Sequence, residues 1–473
     1  MNRSPLVSSL LLRPASLKAP MGPLLLPVPI AERPSQPPPR GPSVIVAPVM
    51  ALYSVVRRQI VDPLRENSAL LMICVATGIT MLGQGVIAPV LPLYAKDFGV
   101  STAMVGASIS VFGLARILFN LPSGLLSDRF GRRLFLVGGP VVMALGTFLS
   151  AVAGDIWQLL AYRFIAGVGS AMFMTAGLTV IADISTPENR GRNLSLHLGS
   201  LLVGVSIGPA VGGLAAELFG LRAPFYLVGT LSAICAVWAL RVIPETSGMA
   251  KIAASAKENA THVASAALRP LLANKGLLLV SLVTFSIFFT RTGARQTMLP
   301  LLGNDELGLT AGGLGGIFAM MAFINLLTIV PAGAWADRFG RKRTIVPSAL
   351  LAAGALCLFA FTDSLSVYLI AAVLLALGTG ISGPAPAAYA ADVIPDNARG
   401  LGMGLFRTYS DIGFVVGPLL LGWIADTTGS FRMPLLFNAA LMVAGVMAFA
   451  LFARETVSRH GDQHALQETS GES

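Results

Sequence analysis

Three arginines and one aspartate interrupt runs otherwise built from Leu, Ile, Val, Ala, Gly and Phe: Arg116, Arg163, Arg407 and Asp411. An ionisable side chain held in hydrocarbon costs about 3 kcal/mol, so residues of this kind face a cavity, a partner or a proton path. Arg407 and Asp411 stand four residues apart, on one face of a helix and in reach of each other. Arg291 and Arg295 repeat that spacing, while Gln84, Asn120, Gln296, Asn325 and Tyr409 add neutral hydrogen-bonding groups. The expected substrate cavity therefore draws on Arg116, Arg163, Gln84, Asn120, Asn325, Arg407 and Tyr409. Two chemistries stay open. Asp411, the one carboxylate placed deep in an apolar run, takes up a coupling proton, or the arginines attract an anionic solute directly, by exchange or uniport.

The elements that must position these residues are membrane helices. Of the 473 residues 54% are hydrophobic and 12% charged, and 50 are glycine, which excludes a water-soluble globule. Apolar windows of ~20 residues, the length that crosses ~30 Å of hydrocarbon, occur at 69–94, 103–126, 134–154, 157–181, 194–216, 224–243, 276–301, 310–335, 344–362, 365–390, 401–425 and 433–453. At 1.5 Å per residue, Arg116 lies ~18 Å above Asp128, near the middle of the bilayer.

The chain is also duplicated. Gly124-Leu-Leu-Ser-Asp128-Arg129-Phe130-Gly131-Arg132-Arg133 recurs as Gly333-Ala-Trp-Ala-Asp337-Arg338-Phe339-Gly340-Arg341-Lys342, 209 residues later. At the same offset Pro122 matches Pro331, Asp183 matches Asp392, and Gly204, Gly208-Pro209 and Gly213 match Gly413, Gly417-Pro418 and Gly422. The fold class is an all-α membrane protein, twelve transmembrane helices in two pseudo-symmetric six-helix bundles. The expected domains are a tail at 1–68, bundles at 69–246 and 275–456, a linker at 247–274 and a tail at 457–473.

Lys and Arg decide the orientation. Arg129, Arg132, Arg133, Arg190, Arg192, Arg338, Arg341, Lys342, Arg343 and Arg399 fall on loops of one parity with the linker's Lys251, Lys257, Arg269 and Lys275, whereas the other loops lean acidic. Both termini are expected in the cytoplasm, in the plasma (inner) membrane, with an organellar envelope kept open. The net charge of +10 follows from this asymmetry and implies contact with lipid headgroups rather than nucleic acid. Cys74, Cys235 and Cys357 each sit in a predicted crossing, and only His197 of the four histidines lies near one, so no metal and no cofactor is expected. No phosphate loop, zinc spacing or Ser/His/Asp trio points to an enzyme. Residues 1–49 are Pro-rich and basic, open to reading as a transit peptide, an unstructured tail or an extension upstream of Met50; 50–68 suit a short amphipathic surface helix.

On these motifs the chain resembles the major facilitator superfamily over 69–456. The doubled Gly-x-x-x-Asp-Arg-x-Gly-Arg-Arg hairpin is similar to that family's loop signature. Its glycines, Gly131 and Gly340, suit a turn of positive φ. The resemblance implies a latch, in which Gly124, Asp128, Arg129, Gly131 and Arg132 with Asp183, and Asp337, Arg338, Gly340 and Arg341 with Asp392, hold the halves together in the outward-facing state. Gly204-Val-Ser-Ile-Gly208-Pro209-Ala-Val-Gly212-Gly213 resembles the family's antiporter motif, and Arg163 matches an arginine tied to proton transfer, although Ala166 replaces the usual polar residue. The first crossing carries no acid, where many drug/proton exporters have one. What the resemblance implies is a monomeric carrier that exports small amphipathic solutes or drugs in exchange for protons. Asp411 and Arg163 would then couple the proton, and an organic-anion carrier of the same fold is the alternative.

Overall fold

The structure, a computed structural model, describes residues 57, 61–186, 188–242, 268–395 and 398–456. The expectations for 1–49, most of 50–60, most of the linker and the tail from 457 fall outside the described residues, as does the side chain of Asp128. A short helix, Asp62–Glu66, precedes the first crossing.

Twelve helices are long and apolar enough to cross a membrane. In chain order they are α1 (Ser68–Ile87), α2 (Thr102–Phe130), α3 (Arg132–Ala151), α4 (Ile156–Asp183), α5 (Arg190–Phe219) and α6 (Ala223–Val242). Then follow α7 (Lys275–Asp305), α8 (Ala311–Phe339), α9 (Arg341–Ala360), α10 (Leu365–Val393), α11 (Arg399–Thr428) and α12 (Arg432–Phe452). No strand occurs among the described residues.

The predicted spans hold to within a few residues at most ends; the first, expected to reach 94, stops at Ile87, where a turn separates it from the short helix Leu91–Lys96, and the extensions of other helices share one cause. Helices α2 and α8 run on to Phe130 and Phe339, and α5 and α11 begin at Arg190 and Arg399, because charged residues can continue a helix beyond the hydrocarbon that an apolar window detects. Each hairpin turns on one glycine: Gly131 at φ 95° and Gly340 at φ 110° join α2 to α3 and α8 to α9 with no further residue between. These turns mark the hairpin end of the bundle; the opposite end is the far end.

Packing follows the logic of lipid rather than water. Small residues face other helices, as Ala352, Ala355 and Ala371 do in the second half, whereas Leu121 and Val330 are 72% and 76% exposed. Within each half α5 packs on α1, and α11 on α7, through glycines. A methyl group at Gly208 would lie 2.6 Å from the Cα of Gly85, and one at Gly417 2.7 Å from the Phe289 carbonyl oxygen.

Helix α7 is wound differently from its counterpart α1. Residues Lys275–Phe289 are α-helical, Thr290–Met298 form a π-helix, and Leu299–Asp305 return to α. Asn67 and Asn274 cap the two helices equivalently, each accepting from a backbone N–H three residues on at 3.0 Å. From those caps to the matching Leu91-Pro92 and Leu299-Pro300, α7 holds one residue more. The wider i→i+5 winding absorbs it, and Thr297 Oγ1 donates five residues back to the Thr292 carbonyl at 2.8 Å. Thr290 and Thr292 tie the segment to Asn438 of α12 and the Phe414 carbonyl of α11, both at 3.0 Å.

Candidate functional site

The two halves meet at the far end through contacts that the duplication makes twice. A methyl group at Gly106 of α2 would lie 2.6 Å from the Pro418 carbonyl carbon of α11; one at Gly315 of α8 would lie 2.7 Å from the Pro209 carbonyl oxygen of α5. These are the same pair displaced by the repeat. Gly213 touches the Ala311 carbonyl and Gly422 the Thr102 carbonyl, again as equivalents. Above them, two carboxylates reach across to helix starts. Asp426 at the end of α11 accepts from the backbone N–H groups of Thr102 and Ala103 at 2.7 and 2.8 Å, and Glu217 at the end of α5 accepts from that of Gly312 at 2.9 Å. The first-turn amides of α2 and α8 have no partner within their own helices, so each carboxylate supplies an acceptor and a favourable charge at the positive end of a helix dipole. Lys96, at the end of the short helix Leu91–Lys96 that follows α1, pairs with Asp305 at the end of α7.

Of the glycine contacts that join the halves, those nearest the hairpin end are Gly113 of α2 with Phe414 of α11 and Gly315 of α8 with the Pro209 carbonyl of α5. Below the second of these points lies a cavity of about 290 Å³, lined by Val205 and Ser206 of α5, Phe288, Arg291 and Arg295 of α7, Asn325 of α8 and Thr379 of α10. Thr379 Oγ1 donates to Asn325 Oδ1 at 3.2 Å. A recess of about 40 Å³ adjoins it, shares Arg291 and Arg295, and adds Gln84, Pro209 and Gln296. The buried Gln84 Nε2 has no hydrogen-bond partner.

Of the residues expected in the cavity, Asn325 lines the larger space and Gln84 the recess. Arg116, Asn120, Arg407 and Tyr409 line neither. Arg116 and Asp411 lie one turn below the contact of Gly113 with Phe414, and Arg116 is within electrostatic reach of Asp411, Arg407 and Arg291. Arg407 and Asp411 share a face, yet no ion pair joins them among the described residues; the base precedes the acid, the less favourable order on a helix. Arg163 sits elsewhere than expected. Its side chain is buried, stacked 4.7 Å from the Phe112 ring with Nε directed at the Ser108 carbonyl 3.5 Å away, so it packs between α4 and α2. The signal for Arg291 and Arg295 was present as an i, i+4 pair, but nothing in the residue pattern ranked them above Arg116 or Arg407.

The hairpin residues are tied within their own halves. Arg132 Nε lies 3.0 Å from Asp183 Oδ2, and Arg341 bridges Asp337 and Asp392, the latter at 3.4 Å. Arg129 and Arg338 each lie 5.4 Å from the following phenylalanine ring, Phe130 and Phe339, and Gly124 packs near Thr175. Glu455 has a part that sequence reasoning did not assign: it accepts from the N–H groups of Arg341 and Lys342 at 2.8 and 3.2 Å, capping α9. In the antiporter-like motif Gly204, Gly208 and Gly212 face α1, and only Gly213 and the Pro209 carbonyl face α8 across the seal. Its echo divides likewise: Gly413 and Gly417 pack on α7, whereas Gly422 packs on α2. His197 is buried against Thr77 Oγ1, 3.3 Å from its Nδ1. No group of metal-ligating residues occurs among the described residues.

The sequence profile of the Major Facilitator Superfamily matches residues 73–324 and 284–470. An uncharacterized MFS-type transporter of Methanocaldococcus jannaschii is 26% identical over 386 residues, 81% of this chain and 98% of that one. Multidrug resistance protein 2 of Bacillus subtilis is 24% identical over 378 residues, covering 78% of this chain and 91% of its own. Among solved structures, a bacterial homolog of the human lysosomal transporter Spinster, inward-facing and occupied, superposes with a TM-score of 0.70 at 15% identity, over 82% of this chain and 97% of that one. Twelve apolar helices, two equivalent halves sealed at one end and a cavity between them accord with these matches: the chain belongs to the Major Facilitator Superfamily and is a multi-pass membrane transporter of small molecules, a carrier rather than an enzyme.

Proposed function

We propose that this transporter exports small amphipathic organic solutes by alternating access, loading them from the cytoplasm and exchanging them for protons. The observation that carries this reading is the cavity itself, which lies on the hairpin side of a sealed far end and is walled by Val205, Phe288, Leu326 and Leu375 with few polar groups among them. The excess of Lys and Arg on the hairpin loops supports a cytoplasmic hairpin end. Similarity to a protein named for multidrug resistance supports export over import.

Asp411 is the coupling carboxylate in this reading, within electrostatic reach of Arg116 on the facing helix α2. In the alternate state the far end opens and the hairpins close, with the hairpin residues latching across the halves instead of within them. The test is transport in proteoliposomes against a panel of amphipathic dyes, with and without an imposed pH gradient. Uphill movement that collapses with a protonophore is expected, and Asp411→Asn should keep solute counterflow while losing gradient-driven accumulation. Uphill transport indifferent to the protonophore would remove proton antiport.

A further inference from the structure

We infer that the π-helical segment of α7 is an anion subsite, where Arg291 and Arg295 together receive the carboxylate or sulfonate of an amphipathic organic anion whose apolar body lies in the cavity below. The inference rests on the proposal that this cavity takes an amphipathic solute, and adds the sign of its charge.

Four observations lead there. First, Arg291 and Arg295 line both the cavity and its recess, the only charged residues on either lining. Second, neither guanidinium has an ion pair or hydrogen bond among the described residues. Their neighbours are ring faces, Phe288 at 5.8 Å from Arg291 and Phe318 at 5.7 Å from Arg295. Ring faces stabilise a cation weakly and leave its five N–H donors unused. Third, the one nearby acid is shared. Asp411 is within electrostatic reach of Arg116, which also feels Arg407 and Arg291, and Arg295 lies within reach of Arg291, so four guanidinium groups are linked in this region with one carboxylate among them. Positive charge without a counter-ion at membrane depth is unstable, and a bound anion compensates it. Fourth, the arginines ride on the one stretch where α7 departs from α1. The extra residue and its π winding occur in α7 and not in its counterpart α1, and π turns concentrate at functional positions.

The chemistry fits a planar, forked acceptor. Guanidinium groups bind carboxylate or sulfonate oxygens through paired N–H donors, and a dry surround strengthens that contact. Gln84 Nε2 is a further donor in the recess, buried and without a partner. Asn325 and Thr379 are occupied with each other on the far wall, so the remaining lining is available to the apolar body.

The experiment uses the purified full-length chain and three matched probes: naphthalene-2-sulfonate, the cation 2-(aminomethyl)naphthalene and the neutral naphthalene-2-methanol. Equilibrium binding should favour the sulfonate over the cation by at least about tenfold and weaken with salt. The double variant Arg291→Gln/Arg295→Gln should lose at least about tenfold of the sulfonate affinity while keeping that of the neutral probe. Arg291→Lys/Arg295→Lys keeps the charge without the fork and should fall between, which guards against a variant that fails to fold. Equal affinity for cation and sulfonate, or undiminished sulfonate binding by the Gln pair, overturns the subsite. The export reading fails separately: arginine-dependent sulfonate binding with no vesicle transport of any probe leaves the subsite standing and removes export. Vesicle transport of the cation without sulfonate binding does the reverse.

Discussion

The two ends of this molecule use the same duplication in opposite ways. At the far end the repeat works between halves: Glu217 of α5 holds the start of α8, and its equivalent Asp426 of α11 holds the start of α2. At the hairpin end it works within halves: Arg132 meets Asp183, and the equivalent Arg341 meets Asp392. The difference shows how a twofold chain gates a pore. Bonds across the halves close an end, bonds within a half leave it free to part, and alternating access requires exchanging one arrangement for the other.

The sharpest way to break that comparison is to prevent the far-end seal. Gly315→Leu places a bulky side chain where the backbone of α5 stands against α8, and overpacking of this kind costs about 1–3 kcal/mol. Since ~1.4 kcal/mol is a factor of ten in population, the sealed state should become rare and transport should fall to about a tenth or less. A cysteine at Ser206, which lines the cavity, should then react with a membrane-impermeant thiol reagent added at the far end. Gly106→Leu should behave alike, because the repeat makes it the same contact. A difference between the two variants would mean that the halves do not share the seal.

These contacts also mark the limit of what the sequence disclosed. The twelve crossings were legible because apolar length is a one-dimensional property, and the hairpins because Gly131 and Gly340 repeat with their neighbours intact. Glu217 and Asp426 were read only as acids on acid-leaning loops. Their partners lie far away in the chain, and nothing local says that a carboxylate will cap another half's helix. The repeat could have found them, since both acids and both helix starts are displaced by the same 209 residues. The π-helix was hidden for another reason: Arg291 and Arg295 share a face under α winding too. Its trace is the single residue by which the stretch from Asn274 to Leu299-Pro300 exceeds that from Asn67 to Leu91-Pro92. The packing of Arg163 against the Phe112 ring and the Ser108 carbonyl was not legible either, because both partners lie on another helix.

A subtler break removes the clasps and keeps the packing. Asp426→Asn or Glu217→Gln leaves a weaker acceptor of the same shape, and loss of a charged helix cap costs about 1 kcal/mol. Each single variant should shift the balance toward the far-end-open state about fivefold. The clasps share no partner, so the double variant should shift it by about the product, near twenty-fivefold. The ratio of far-end to hairpin-end labelling at Ser206→Cys measures this directly. A double variant no worse than either single one would show that a single clasp carries the closure.

The smallest effect concerns the hairpin end, where the two ties are equivalent in position but unequal in surroundings. The Arg132 side chain is 4% exposed and that of Arg341 16%, and the second hairpin has Glu455 capping α9 from another direction. Removing a charge partner matters more where water cannot replace it, and less where the pair is partly open to solvent. Arg132→Gln should therefore lower the thermal stability of the purified protein by about 1–2 kcal/mol, and Arg341→Gln by about 0.5 kcal/mol. Adding Glu455→Gln to Arg341→Gln should bring the second half level with the first, because its independent cap is then weakened as well. If Arg341→Gln alone proves as damaging as Arg132→Gln, burial is not what separates the two hairpins, and the within-half ties are held by the turn geometry at Gly131 and Gly340 rather than by charge.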